Sequence, residues 1–160
     1  MATFRPFEDH RTVNALLPRI SLFGGMTEEQ RERFLHKFQV ADFSTGEVII
    51  DQGKQSSHVF VILSGRVDLM LSNEKASMKK REFGPGDCFG EAALLSLTNQ
   101  EASFVASEPC EILGLPRTWL LTLHRDEPDV FLHLVLNLAR ELARKLQFTD
   151  RLLLSEYPAE

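Results

Sequence analysis

The sequence predicts a mainly β domain, a sandwich or a jelly roll, with helices before and after it. Three observations carry that expectation. From Val40 onward, short runs rich in Val, Ile and Phe follow one another. Glycines break these runs at Gly46, Gly53, Gly65, Gly84, Gly86 and Gly90. Helical periodicity is confined to the two flanks. Many short strands with regular turn signals are the pattern of antiparallel folds that close on themselves or pack as two layers. The 160 residues suit one domain, and a chain of that length hides about 70% of its unfolded surface.

Residues 1–19 mix charges with Pro6 and Pro18 without a sustained period, and are expected to form an arm with a short turn. Order begins at Ile20. Thr27-Glu28-Glu29-Gln30 has the form of a capping box, in which a hydroxyl and an amide each satisfy an orphan backbone donor. The helix it opens should run to about Phe38, with Phe34, Leu35 and Phe38 on one side.

Val48-Ile49-Ile50 is expected as one strand, Val59 to Leu63 as another, and Val67 to Leu71 as a third, with Val67, Leu69 and Leu71 on one face. Ser64-Gly65-Arg66 reads as a hairpin turn, where glycine suits a positive φ. Asn73-Glu74-Lys75 makes the next turn, and Lys79 to Phe83 a partly exposed strand. Phe104-Val105-Ala106 and Ile112 to Leu115 are the last strands, ended by Pro116. A short helix from Thr118 to His124 follows. Pro128, suited to a first helical turn, opens a long helix reaching about Leu154. Its stripe of Phe131, Leu134, Val135, Leu138, Leu142, Leu146 and Leu153 is expected on one face, with Arg140, Glu141, Arg144 and Lys145 largely off it.

Composition excludes several functions. The net charge is −5, and the longest basic cluster, Lys79-Lys80-Arg81, reads as a solvated loop face, so no direct nucleic-acid partner is expected. No 18-residue apolar run and no secretory leader are seen, which points to a cytoplasmic protein without membrane contact. Two cysteines, Cys88 and Cys110, are read as reduced and buried, and are too few to hold an iron–sulfur cluster. Five scattered histidines without metal-ligand spacing offer no metal site. No nucleophile-elbow sequence supports catalysis, so neither catalytic residues nor a resident cofactor are expected.

The most informative stretch is Phe89-Gly90-Glu91-Ala92-Ala93-Leu94-Leu95, which follows the Gly84-Pro85-Gly86-Asp87 turn with Cys88 between them. Glycine and an acidic residue at the mouth of a short helix leave backbone N–H groups pointing outward, where the helix dipole favours an anion. Gly90 and Glu91 alone would also suit a sharp strand-to-helix bend with a capping carboxylate.

Together with Gln100-Glu101-Ala102-Ser103-Phe104-Val105, this stretch resembles the phosphate-binding cassette of the cyclic-nucleotide-binding domain family. Thr45-Gly46-Glu47-Val48-Ile49, Ser64-Gly65-Arg66-Val67 and Gly84-Pro85-Gly86-Asp87 fall in the family's order, so the resemblance spans about residues 20–154. It implies a double-stranded β-helix, a jelly-roll-like β-roll, with an N-terminal helix and a long C-terminal helix. The implied organisation is an arm over 1–19, the roll with its N-terminal helix over 20–127, and a helix over 128–155 for dimerisation or closure. The implied ligand is a cyclic nucleotide, set against Phe89, Gly90, Glu91, Ala92, Glu101, Ala102 and Ser103. In the family the acidic residue at Glu91 accepts the ribose 2′-hydroxyl, and Ala102 and Ser103 match positions that offer the phosphate a backbone N–H and a hydroxyl.

Glu101 stands where the family's phosphate-binding arginine belongs. A charge-assisted Arg–phosphate bond contributes about 1.5–3 kcal/mol, and two like charges about 4 Å apart repel by roughly 4 kcal/mol at an effective dielectric near 20. Binding of ordinary cyclic AMP or cyclic GMP is therefore expected to be impaired by roughly three or more orders of magnitude.

The expected function is that of a regulatory or sensor domain whose C-terminal helix moves with the ligand. A helix of about 27 residues is about 40 Å long, more than a small roll needs, so its far half is expected to pair with a second copy as a C2 homodimer. Leu146-Gln147-Phe148-Thr149-Asp150 echoes the family's purine-contacting helix segment one turn late, which favours a solvent-facing or dimer-facing Thr149. The sequence ends where the family's bacterial transcription factors continue into a DNA-binding domain, and none is expected to act here. The alternative function is a ligand-free protein–protein interaction module that docks a partner through the long helix or the Leu94 to Thr98 surface.

Overall fold

Two antiparallel sheets and five α-helices make up the computed structural model, which describes residues 3–8, 10–16 and 18–157. In chain order these are β1 (Arg5–Pro6), α1 (His10–Leu16), a 3-10 turn (Ser21–Phe23), α2 (Glu28–Leu35), β2 (Gln39–Phe43), β3 (Val48–Ile50), β4 (His58–Ser64), β5 (Val67–Ser72), β6 (Ser77–Phe83), β7 (Cys88–Phe89), α3 (Glu91–Ser96), β8 (Ser103–Ala106), β9 (Cys110–Pro116), α4 (Arg117–Asp126) and α5 (Pro128–Glu156). One sheet has the order β1-β2-β9-β4-β7 and the other β3-β8-β5-β6. This is the expected mainly β roll with flanking helices.

The alternation within β4 explains how the layers form. Val59, Val61 and Leu63 point to a core shared with the helices, where they meet Phe23, Phe34, Phe38, Leu120, Val130 and Leu134. Phe60 and Ile62 point the other way, into the space between the sheets, with Phe83, Phe89, Phe104 and Ile112. A strand covered on both faces must read as a continuous apolar run, and His58–Ser64 does. Both cysteines are free and buried.

The capping box of α2 is complete: the Thr27 hydroxyl accepts from Gln30 N at 3.2 Å, and the Gln30 side-chain oxygen accepts from Thr27 N at 2.9 Å.

Three expectations are corrected. The N-terminal region is more than an arm: β1 pairs with β2 through Arg5↔Val40 and Pro6↔Gln39, and α1 buries Val13 completely. A 7-residue helix is too short to hold itself together, so its packing stabilises it and its local sequence does not announce it. Residues 1, 2, 9 and 17 of that region, and the side chains of His10, Arg11 and Thr12, lie outside the described residues.

Ser64-Gly65-Arg66 is a corner between sheets, not a hairpin, because β4 pairs with β7 and β9 while β5 pairs with β6 and β8. Gly65 has φ +82°, and a Cβ there would lie 2.2 Å from the Pro109 carbonyl oxygen. The true hairpin joins β5 to β6, where the Asn73 side chain accepts from Lys75 N and Ala76 N, each at 2.9 Å.

The long helix also departs from its expected stripe. Val130, Leu134, Asn137 and Leu138 are buried, whereas Leu146 is 64% and Leu153 52% exposed. Beyond Leu138 the face turned to the roll is polar, with Glu141 and Lys145 on it, contrary to the expectation that both lie off the inward side. The Asn137 amide fixes the start of that face by donating to Leu22 O at 3.0 Å and Gly24 O at 2.8 Å.

Candidate functional site

The cassette is built on a tight turn. Gly84 N donates to the Asp87 carboxylate at 2.8 Å and Asp87 N donates to Gly84 O at 3.0 Å, while Gly86 N reaches Ile62 O at 2.8 Å. This sets β7 against β4 with Phe89 opposite Phe60. Phe89 is fully buried, stacked on Phe60 at 5.2 Å and on Phe104 at 4.9 Å between ring centroids. It anchors the cassette in the core and presents no surface to a ligand, which corrects its expected place among contact residues.

Gly90 caps α3 with φ +84°. A Cβ there would lie 3.0 Å from His58 O and 3.1 Å from both Ile50 Cδ1 and Phe60 Cδ2. The bend therefore needs glycine for its backbone angle and for its lack of bulk.

Glu91 is 1% exposed, an unusual place for a carboxylate unless it is paired. Its partner comes from α5. Lys145 Nζ donates to Glu91 Oε1 at 2.5 Å and to Cys88 O at 2.6 Å. The same ammonium lies 5.3 Å from the Phe83 ring centroid. Burial, followed by the nearby Glu91 charge, pushes the Cys88 thiol well above its ordinary range, so Cys88 is a packed neighbour of the pair and not a nucleophile.

A second contact ties the same end of α5 to the roll. The Arg81 guanidinium of β6 sits between two rings, 4.8 Å from Phe83 and 4.6 Å from Phe148 of α5. Thr149 is half-buried, and its hydroxyl donates to Lys145 O on its own helix at 3.1 Å.

The remaining expected residues divide. Ala92 is exposed and Ala102 is buried. The Ser103 hydroxyl accepts from Gln52 N at 3.0 Å. Glu101 is exposed, with no side-chain hydrogen bond or ion pair among the described residues. Beside it, Gln100 is held by its backbone to Gly53 and Lys54, at 2.8 Å in both directions. Its buried amide Nε2 has no partner among the described residues.

The sequence reading gave a site role to neither Arg81 nor Lys145, and named Phe148 only within the segment that echoes the family's purine contact. A signal for the last two existed: continuing the buried positions Val130, Leu134 and Leu138 at helical spacing leads to Glu141, Lys145 and Phe148. Nothing in the local sequence marks Arg81.

Chemically, the site offers a buried carboxylate bridged to α5, a glycine bend at the start of α3, and two cations around Phe83. No group of metal-ligating side chains occurs among the described residues. No helix there is long and apolar enough to cross a membrane.

Comparison with known proteins agrees with the fold. The model of the cyclic nucleotide-binding domain family matches residues 40–127. The chain is 35% identical over 130 residues to the cyclic AMP receptor protein of Thermus thermophilus, covering 81% of this chain and 58% of that protein. It is 34% identical over 96 residues to a cAMP-dependent protein kinase regulatory subunit of Yarrowia lipolytica, covering 60% of this chain and 24% of that one. It thus spans from about a quarter to three-fifths of these relatives. In three dimensions it matches a cyclic nucleotide-binding domain from Methylobacillus flagellatus with a TM-score of 0.87 at 20% identity, over 99% of this chain and 91% of that one. The chain belongs to the cyclic nucleotide-binding domain family.

Proposed function

We propose that this chain is a regulatory domain in which a small molecule seated against Gly90, Glu91 and the Ala102 backbone biases the position of α5. The observation that carries this reading is the Lys145–Glu91 pair at 2.5 Å. The carboxylate that the family uses for a ribose hydroxyl is here the one that holds the C-terminal helix. A ligand hydroxyl reaching Glu91 must share or displace Lys145, so occupancy and helix placement have different free energies in the two states. Such a difference is what a ligand needs to shift an equilibrium.

Glu101 limits which ligand fits. Losing a charge-assisted bond removes about 1.5–3 kcal/mol. Because Glu101 is exposed, its repulsion of a phosphate tends toward the aqueous value of about 1 kcal/mol at 4 Å. The sum, about 2.5–4 kcal/mol, corresponds to roughly two to three orders of magnitude in affinity. Ordinary cyclic AMP and cyclic GMP are impaired on this account, and a less anionic ligand is favoured. The domain senses and does not catalyse, in keeping with the regulatory proteins it resembles.

The outward side of α5 supplies the readout. Leu132, Leu136, Leu146 and Leu153 are exposed at spacings that bring them to one side of the helix, where a second copy packs as a C2 dimer.

Calorimetry with cyclic AMP and cyclic GMP tests the reading. The wild type should bind neither below micromolar concentration, and Glu101→Arg should gain about tenfold or more for cyclic AMP. Sub-micromolar binding by the wild type would overturn the assignment of Glu101.

A second reading, a ligand-free interaction module, is favoured by Leu95 and Leu97. They are exposed beside the cassette, and Leu97 is held at φ 59°. A nucleotide panel that leaves the melting temperature unchanged would support it, because a ligand specific for the native state raises that temperature.

A further inference from the structure

A second cavity lies on the far side of the cassette glycine. It opens between β3, the 51–57 loop and the N-terminal segment, and has a volume of about 440 Å³, within the roughly 300–1,000 Å³ range of small-molecule sites. Glu91, Glu101, Ala102, Ser103 and Lys145 take no part in its lining, so it is separate from the site described above.

Its lining joins apolar side chains to Asp51, Lys54, Gln55, Ser56 and Ser57. Phe43, Ile50 and Phe60 belong to the buried core between the sheets. Behind Ile50 and Phe60 sits Gly90, where even a methyl group would find contacts of 3.1 Å. The floor is therefore tightly packed behind Ile50 and Phe60, as a pre-formed pocket needs.

The rings that line the cavity set its preference. Phe4 lies parallel to His58, 4.7 Å between centroids and 7° between planes, and Phe60 tilts against His58 at 5.5 Å. The Ser57 hydroxyl meets His58 Nδ1 at 2.7 Å and fixes the imidazole in this stack. Aligned ring faces favour a flat aromatic guest in offset-stacked contact.

The mouth adds one charge preference. Lys54 and Asp51 both border the cavity, and neither makes a side-chain ion pair among the described residues. Lys54 can meet one negative group, while Asp51 opposes a second, which disfavours a phosphate ester carrying two.

We propose that this cavity is a second small-molecule site, selective for a planar aromatic monocarboxylate. The aromatic body packs against the Phe4–His58–Phe60 rings and Ile50, and the carboxylate meets Lys54 at the rim.

The test uses the full chain with naphthalene-2-carboxylate as probe and naphthalene-2-carboxamide as its neutral counterpart, followed by amide NMR and probe fluorescence. Saturable shifts should centre on Phe4, Ile50, Lys54 and His58. Lys54→Ala should weaken the carboxylate by about three- to fivefold, the range of an exposed charge pair, and leave the carboxamide unchanged. Val48→Trp, at an exposed position on the lip, should weaken both by about tenfold by occluding the mouth. Ile50→Trp should abolish both, and Val48→Trp gives the same test without a core substitution. Shifts centred on Glu91, Lys145 and Phe148, or no saturable shift at millimolar probe, would overturn the proposal.

Discussion

Lys145 Nζ, on the last helix, donates to Glu91 Oε1 at 2.5 Å and to Cys88 O at 2.6 Å, so one ammonium joins α5 to both the strand and the helix of the cassette. The Glu91 side chain is 2% exposed and that of Lys145 20%. Removing either partner strands a desolvated charge, which costs about 3–5 kcal/mol when both groups are buried. Lys145→Met should therefore destabilise the protein by about 2–4 kcal/mol, the lower bound allowing for the partly solvated ammonium. Adding Glu91→Gln should restore most of the loss. Urea titration of the two single variants and the double variant measures the coupling, and additive losses would refute it.

Gly90 is a structural requirement of the bend. Gly90→Ala places a Cβ at φ +84° and 3.0 Å from the His58 carbonyl oxygen. Left-handed backbone costs roughly 1–2 kcal/mol for a non-glycine residue, and overpacking against backbone adds about 1–3 kcal/mol. A loss of about 2–4 kcal/mol in urea unfolding is expected. A neutral substitution would show that the bend relaxes freely.

Stability should fall on mild acidification, in part through His58. Burial lowers the pKa of its imidazole in the folded state. Ser57 bonds the ring, and Phe4 and Phe60 pack on it. Above the ordinary imidazole pKa of about 6.5, both folded and unfolded states hold the ring neutral and this contribution is complete. Below it the unfolded chain binds the proton first, so stability is lost as pH falls from that value toward the depressed folded one. Comparing urea midpoints at neutral and mildly acidic pH for the wild type and His58→Phe isolates the effect, and parallel curves would rule it out.

The outer side of α5 gives the proposed dimer its own test. Leu136→Glu and Leu146→Glu alter residues that are 43% and 64% exposed, so neither should unfold the protomer. Sedimentation should show a dimer for the wild type and a monomer for the doubly substituted chain. A monomeric wild type would remove the basis for this interface.

The cassette and the roll around it were legible in the sequence because glycine and turn chemistry are local. Gly90 takes its positive φ from the bend it occupies, and Thr27 and Gln30 cap α2 within three residues of each other. The α1 helix was not legible, since its stability comes from Val13 buried beneath it. Nor was the Gly65 corner, where the same turn residues would serve either a hairpin or a change of sheet, and only the pairing of β4 with β9 separates the two.

By itself, the sequence determined the mainly β roll, its family and the carboxylate at position 101, because strand alternation, turn glycines and residue identity are written along the chain. Tertiary structure alone decided that Glu91 is neutralised by Lys145, that Arg81 is clamped between Phe83 and Phe148, and that the far half of α5 turns polar groups inward. The Lys145–Glu91 pair and the Arg81–Phe148 contact join residues more than 50 positions apart. Which side of a helix meets the roll is set by how the layers pack, a choice that helical spacing restricts but does not make.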